Sequence, residues 1–257
     1  EIPKRDWSSD VCSSDLIKIE NLKSFRLDQD MTKLSSANFK SESDKLKMKY
    51  GKLYDHYLAS FICKGTEDSA YQSLVSNFLS DKDILNCQKQ IQKIYTDDKI
   101  NKLNDELNLC TKRFKYYFPE KSLPKRIVTC QSGWNYAFAY YDSSLIVALD
   151  MYLGDTSLFY QMLRYPQYQI RKMNEHHLLS DIIRGWLLSE FDKTEAQQNL
   201  LNHTVFYGKL FFAVNALLPS SADSLIIGYS TQQMNYCKQF EKQLWGFFAS
   251  KNRLYDN

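Results

Sequence analysis

Arg126-Ile127-Val128-Thr129-Cys130, Asn135-Tyr136-Ala137-Phe138-Ala139-Tyr140-Tyr141 and Leu145-Ile146-Val147-Ala148-Leu149 are three short runs rich in β-branched and aromatic residues, parted by Ser132-Gly133 and Asp142-Ser143. Runs of this kind bounded by turn residues read as strands, and three in succession predict an antiparallel meander. In the middle run Tyr136, Phe138 and Tyr140 fall on one face, with Ala137 and Ala139 on the other. One side is therefore bulky and the other open to close approach.

Outward from this sheet the chain is helical. Upstream, Ile17, Ile19 and Leu22 form a strand-like lead-in, and Asp28 to Leu34 has room for one or two helical turns. From Phe39 to Cys63 the apolar positions Leu46, Tyr50, Leu53, Tyr57, Leu58, Phe61 and Ile62 recur mostly three and four apart, which predicts an amphipathic helix stopped by Gly65. Two more helices are expected over Asp68 to Leu79 and Ile84 to Ile94, split by the capping residues Ser80 to Asp83. A longer one is expected from Asp97 to Tyr117, with the stripe Ile100, Leu103, Leu107, Cys110, Phe114 and Tyr117 and a stop at Pro119. Downstream, helices are expected over Tyr168 to Phe191, Ala196 to Leu218 (ended by Pro219) and Thr231 to Phe248. The fold class is α+β, mostly helical with a small antiparallel sheet, and residues 17–257 read as a single domain.

The length of 257 residues and 44% hydrophobic content suffice for a well-buried core. Apolar runs such as Leu145 to Leu149 and Phe211 to Val214 fall far short of the roughly 20 residues a membrane helix needs. A formal charge of +3, mixed along the chain, with no Gly-rich phosphate loop and no aromatic-plus-basic strand, excludes nucleic acid as an expected partner. Asp6 to Leu16 reads as the translation of a short-read sequencing adapter, so residues 1–16 are set aside as an artefactual or disordered N-terminus, and residues 17–257 carry +5. Cys12 lacks a preceding apolar segment and is not a lipid-attachment cysteine. The remaining Cys63, Cys87, Cys110, Cys130 and Cys237 contain no C-x-x-C pair, so neither a zinc knuckle nor a dithiol redox motif is supported.

Several short motifs fall in a telling order. They are Ile127-Val128-Thr129 with Gly133 and Asn135, Leu149-Asp150-Met151-Tyr152-Leu153-Gly154, Phe159-Tyr160 with Pro166 and Tyr168, and Asp181 to Trp186. Tyr207-Gly208-Lys209, Leu217-Leu218-Pro219, Ile226 to Tyr229 and Glu241 with Trp245 follow, with Lys49-Tyr50 and Tyr116 to Pro119 upstream. In this order they resemble the gliding motility lipoprotein GldB family over nearly all of residues 17–257. The resemblance implies a bacterium of the Bacteroidota, export by a lipoprotein signal that this sequence does not include, and a lipid anchor in the full-length protein. It also implies a place in the cell envelope facing the periplasm or exterior, and envelope or motility machinery proteins as partners.

GldB-like proteins are similar in layout to zinc peptidases, in which a sheet precedes a helix bearing H-E-x-x-H and a second helix bears an acidic ligand; a degenerate zincin-like layout is therefore implied. Two imidazoles one turn apart bind the metal, and the glutamate between them activates its water. The corresponding helix carries Glu175-His176-His177-Leu178-Leu179-Ser180-Asp181. With His177 as first ligand, Leu178 stands at the base position and Asp181 at the second ligand; with His176, the positions fall to His177 and Ser180. Neither register catalyses by that route. His177 and Asp181 share a helix face, and His203, four residues before Tyr207, is the one further candidate for a vestigial site. The competing reading is a polar strip of His177, Asp181 and Arg184 with local charge pairing. No G-x-S-x-G elbow occurs, and Cys130 reads as a structural strand residue.

The expectation is a non-catalytic envelope lipoprotein with no cofactor, zinc included. It binds a protein or extended peptide along a sheet edge, in a groove between the meander and the Tyr168 to Phe191 helix. Its family-signature or vestigial-cleft residues are Asp150, Gly154, His177, Asp181, His203, Tyr207, Gly208 and Lys209. The alternatives are a divergent zinc-dependent metallopeptidase of the envelope and a mainly structural anchor.

Overall fold

A computed structural model describes residues 17–63, 70–191 and 199–255. Strands β1 (Lys23–Arg26), β2 (Arg126–Cys130), β3 (Phe138–Tyr141) and β4 (Ser144–Ala148) form one sheet in the order β1-β2-β4-β3. β1 pairs parallel with β2 and β2 parallel with β4; β3 and β4 alone are antiparallel. The sheet is thus mixed, which corrects the expected antiparallel meander. The cause lies in how completely each run is apolar. Ser144–Ala148 is buried at every position and Arg126–Cys130 at all but the first, so both need cover on two faces and take the centre, as parallel strands do. Phe138–Tyr141 is half-buried throughout and suits an edge. Residues 131–137, part of which was expected in the middle strand, form a loop instead, and the strand near the N-terminus begins after Leu22.

Asp142 and Ser143, with φ of +49° and +54°, make the two-residue turn that joins Tyr141 to its partner Ser144. Positive φ at both positions is the type I′ geometry, whose twist matches that of the strands it joins.

Helix α1 (Leu27–Asp30) and a 3-10 turn (Met31–Lys33) fill the stretch where short turns were expected. The single helix expected over residues 39–63 is three pieces: α2 (Phe39–Tyr50), α3 (Lys52–Tyr57) and a π-helical turn (Leu58–Ile62). Gly51 makes the break at φ +64°, a conformation that costs an L side chain. The apolar stripe survives it: Leu46, Tyr50, Leu53, Tyr57, Leu58 and Phe61 are all buried in one core with Val128, Cys130, Ile146 and Ala148 of the sheet. Gly65 and the adapter-like stretch Asp6 to Leu16 lie outside the described residues.

Then come α4 (Tyr71–Ser80), α5 (Lys82–Ile94) and α6 (Asp97–Tyr117). Asp81 caps α5, its side chain accepting from the backbone N–H of Asp83 and Ile84. After β4 follow a 3-10 turn (Leu149–Met151), α7 (Leu158–Met162) and α8 (Gln167–Ile170). The helix expected from Tyr168 is divided, four residues separating the end of α8 from the start of α9 (Glu175–Glu190). Helices α10 (Leu200–Leu217), α11 (Asp223–Ile227) and α12 (Thr231–Ser250) complete the described chain, with a Ser230/Gln233 capping box opening α12.

These elements fall into two compact units. The first comprises Ile19–Asn108 with Glu120–Glu175 and holds the sheet; the second comprises Leu109–Pro119 with the described part of His176–Asn257 and is helical. In the second, the Phe114 and Trp186 rings pack with centroids 4.3 Å apart, both fully buried, and the Arg113 guanidinium donates to the Leu217 carbonyl at 2.9 Å.

Candidate functional site

In the first unit, parallel strands β2 and β4 end side by side, the position where open α/β sheets place their sites. The loop after β2 needs positive φ at Gly133 (+66°) and Trp134 (+58°), and Asp150, in the 3-10 turn after β4, holds it there. Asp150 is fully buried. Its carboxylate accepts from Ser132 N at 3.1 Å, from the Ser132 hydroxyl at 3.1 Å and from Trp134 N at 2.6 Å. Burial pushes its pKa up to about 6, against the opposing pull of the Trp134 and Ser132 donors. A carboxylate so enclosed fixes two loops to each other. Its side chain is closed off from solvent.

Four tyrosine hydroxyls complete this knot. Tyr57 donates to the Gln131 carbonyl at 2.6 Å, Tyr95 to that of Tyr152 at 2.6 Å, Tyr165 to that of Trp134 at 2.6 Å and Tyr160 to that of Asp150 at 2.9 Å. The Tyr160 hydroxyl also accepts from Leu153 N at 2.7 Å. Gly154, at φ +107°, follows directly and donates its N–H to the Met173 carbonyl at 2.9 Å.

The same unit carries an open cleft of about 580 Å³, lined by His56, Tyr141, Phe39, Tyr71, Lys47 and Lys52 among others. The His56 ring lies flat on Tyr141, centroids 4.0 Å apart and planes 7° from parallel, with the Ser60 hydroxyl 3.4 Å from Nδ1. Burial lowers the His56 pKa, so the imidazole is neutral at pH 7. Lys47 pairs with Asp55 at 3.0 Å on the cleft wall.

In the second unit, α9 turns Leu178, Ser180, Ile182, Ile183, Trp186 and Leu187 inward. His177 and Asp181 are half-buried and His176 exposed, and Asp181 accepts from Arg184 at 2.7 Å. On α10, His203 is exposed and its ring packs tilted against that of half-buried Tyr207, centroids 4.6 Å apart, and Gly208 and Lys209 are exposed. No group of three or more His, Cys, Asp or Glu able to hold a metal ion occurs among the described residues.

The family model described as Gliding motility protein GldB matches residues 9–257. The chain belongs to the GldB family. No curated protein and no solved structure matches it. GldB membership makes it a gliding-motility-associated lipoprotein with a cell-envelope association. Among the described residues no helix is long and apolar enough to cross a membrane.

The GldB-like signature residues singled out in the sequence divide between the units: Asp150 and Gly154 in the first, His177, Asp181, His203, Tyr207, Gly208 and Lys209 in the second. Asp150 meets Ser132 and Trp134, Asp181 meets Arg184, and His203 meets Tyr207. Sequence reasoning missed the cleft around His56. A histidine on the polar side of an amphipathic stripe carries no signal until Tyr141, 85 positions away, is brought beneath it.

Proposed function

We propose that this GldB-family chain is a non-catalytic binding component of the cell envelope, lipid-anchored and facing the periplasm or exterior. It engages an envelope or motility protein by receiving an extended segment in the His56–Tyr141 cleft, alongside edge strand β3. The observation that carries the non-catalytic reading is Leu178. It occupies the position of the water-activating glutamate when His177 is taken as first ligand, and it is packed inward, 4% exposed. A carboxylate placed there would be desolvated in a helix core. The second-ligand position, Asp181, is already engaged by Arg184, and Tyr207, where an acidic ligand would be needed, packs against His203. The aromatic cleft with its two lysines supports the binding reading, since such surfaces offer rigid contact area with polar rims.

The test is elemental analysis of the purified chain and of His177→Ala, together with peptide cleavage assays with and without chelator. The expected result is no stoichiometric zinc in either protein and no metal-dependent cleavage. Stoichiometric zinc lost on His177→Ala, with cleavage abolished by chelator, overturns the reading in favour of an envelope metallopeptidase.

A further inference from the structure

The segment that follows the Asp150 knot turns large aliphatic side chains to solvent. In α7, Phe159 and Tyr160 are buried, while Leu158 and Met162, one turn apart on the same side of the helix, are 70% and 64% exposed. Leu163 follows at 49%, and Tyr168 of α8 is 63% exposed. The chain beneath them is pinned: the Tyr160 hydroxyl bonds Leu153 and Asp150, and the Tyr165 hydroxyl donates to the Trp134 carbonyl. Between Leu163 and Tyr165 the backbone turns at Arg164 with φ +56°, a conformation that costs an L residue. Charge here is of one sign. Residues 156–174 contain Arg164, Arg171 and Lys172 and no acid, and both arginines are exposed.

We propose that this strip is a membrane-contact surface, by which the chain lies against an anionic phospholipid layer. It uses none of the residues of the His56–Tyr141 cleft. Leu158, Met162 and Leu163 enter the boundary between headgroups and acyl chains, Tyr168 stays at its polar edge, and Arg164 and Arg171 meet the phosphates. Charge selects the occupant: cations without an acid among them complement anionic lipid, and each is worth about fivefold in affinity near such a surface. A second copy of the chain on the same strip would set cation against cation. The setting agrees, since the chain belongs to a lipoprotein family of the cell envelope, and one acyl chain alone attaches a protein only marginally.

Flotation of the purified chain with vesicles of phosphatidylglycerol and phosphatidylcholine, and with phosphatidylcholine alone, tests this. The expected result is binding to the anionic vesicles that weakens as salt rises, falls about twentyfold in Arg164→Gln/Arg171→Gln and is lost in Leu158→Ser/Met162→Ser. Lys102→Gln removes an exposed cation from α6 and should leave binding within about twofold. Circular dichroism and the urea midpoint report that each variant folds, as exposed substitutions permit. Absence of binding to the anionic vesicles overturns the proposal, as does binding equally tight to phosphatidylcholine alone. Binding indifferent to both double variants, or lowered as much by Lys102→Gln as by the arginine pair, overturns it too. Dimerisation without vesicle binding, lost in Leu158→Ser/Met162→Ser, would give the strip to a second copy of the chain and equally overturn it.

Discussion

Replacing Asp150 with asparagine removes one buried titratable group while keeping its shape. In the folded chain, burial raises this carboxyl to about 6 from an ordinary 3.8, outweighing the Trp134 and Ser132 donors. Between these values the fold holds a proton that the unfolded chain has released. The stabilisation due to this group is therefore complete below about pH 4 and is lost as pH rises through 6. The difference between the two values corresponds to about 3 kcal/mol at a fully buried site. Asp30 titrates the other way: burial raises it, but hydrogen bonds from Lys33, Lys49 and Tyr50 hold it below the ordinary value, so its contribution is lost as pH falls. Asp30 is present in both proteins and cancels in their comparison. Urea unfolding of wild type and Asp150→Asn from pH 4 to 7, followed by tryptophan fluorescence, should show wild type losing about 3 kcal/mol relative to the variant as pH rises. A difference that is flat, or that moves in favour of wild type, would refute the reasoning and show that the donors of the Ser132–Trp134 loop outweigh desolvation.

Three further substitutions probe the same architecture. Tyr160→Phe leaves the buried Leu153 N–H without its acceptor and should lower the urea-derived stability by about 2 kcal/mol, whereas Tyr236→Phe on the exposed side of α12 should change it negligibly. Ser143→Gly relieves an L residue at φ +54° in the type I′ turn and should raise stability by about 1 kcal/mol in a thermal melt; a lower midpoint would show that the serine side chain holds the turn. Leu178→Glu, the change that nominally restores a peptidase base, should instead cost about 3 kcal/mol or more, and a stable, zinc-binding variant would contradict the placement of this residue in the helix core.

Much of the fold was legible because its signals are local. Asp97–Tyr117 forms over the residues its stripe and Pro119 predict, and Asp81 caps α5 from within the polar break that suggested it. What could not be read was long-range. β1 is four residues long, begins with Lys23 and ends with Arg26, and pairs with β2 across some hundred residues of helix, so no apolar run announces a parallel crossover. The unbroken apolar run Leu145 to Leu149 was the available clue: a run apolar on both faces asks for the centre of a sheet. Gly51 was equally visible, but the apolar stripe continues across it and conceals the break. Asp150 could be recognised as a signature residue, yet its role depends on Ser132 and Trp134, which only the adjacency of β2 and β4 brings to it.

The phenolic anchors of the first unit bear on how its loops exchange with solvent. Loop amides ordinarily trade hydrogen for deuterium through small local openings, well before strands do. Here the segments 131–134 and 150–153 are bound by four tyrosine hydroxyls from separate parts of the chain, three of those tyrosines being buried. Freeing the Leu153 amide means withdrawing a ring from the interior, so its isotope exchange should keep the slow pace of β4. The slowest-exchanging backbone in this unit therefore extends past the strand ends, into segments that secondary structure alone would assign to the fast class.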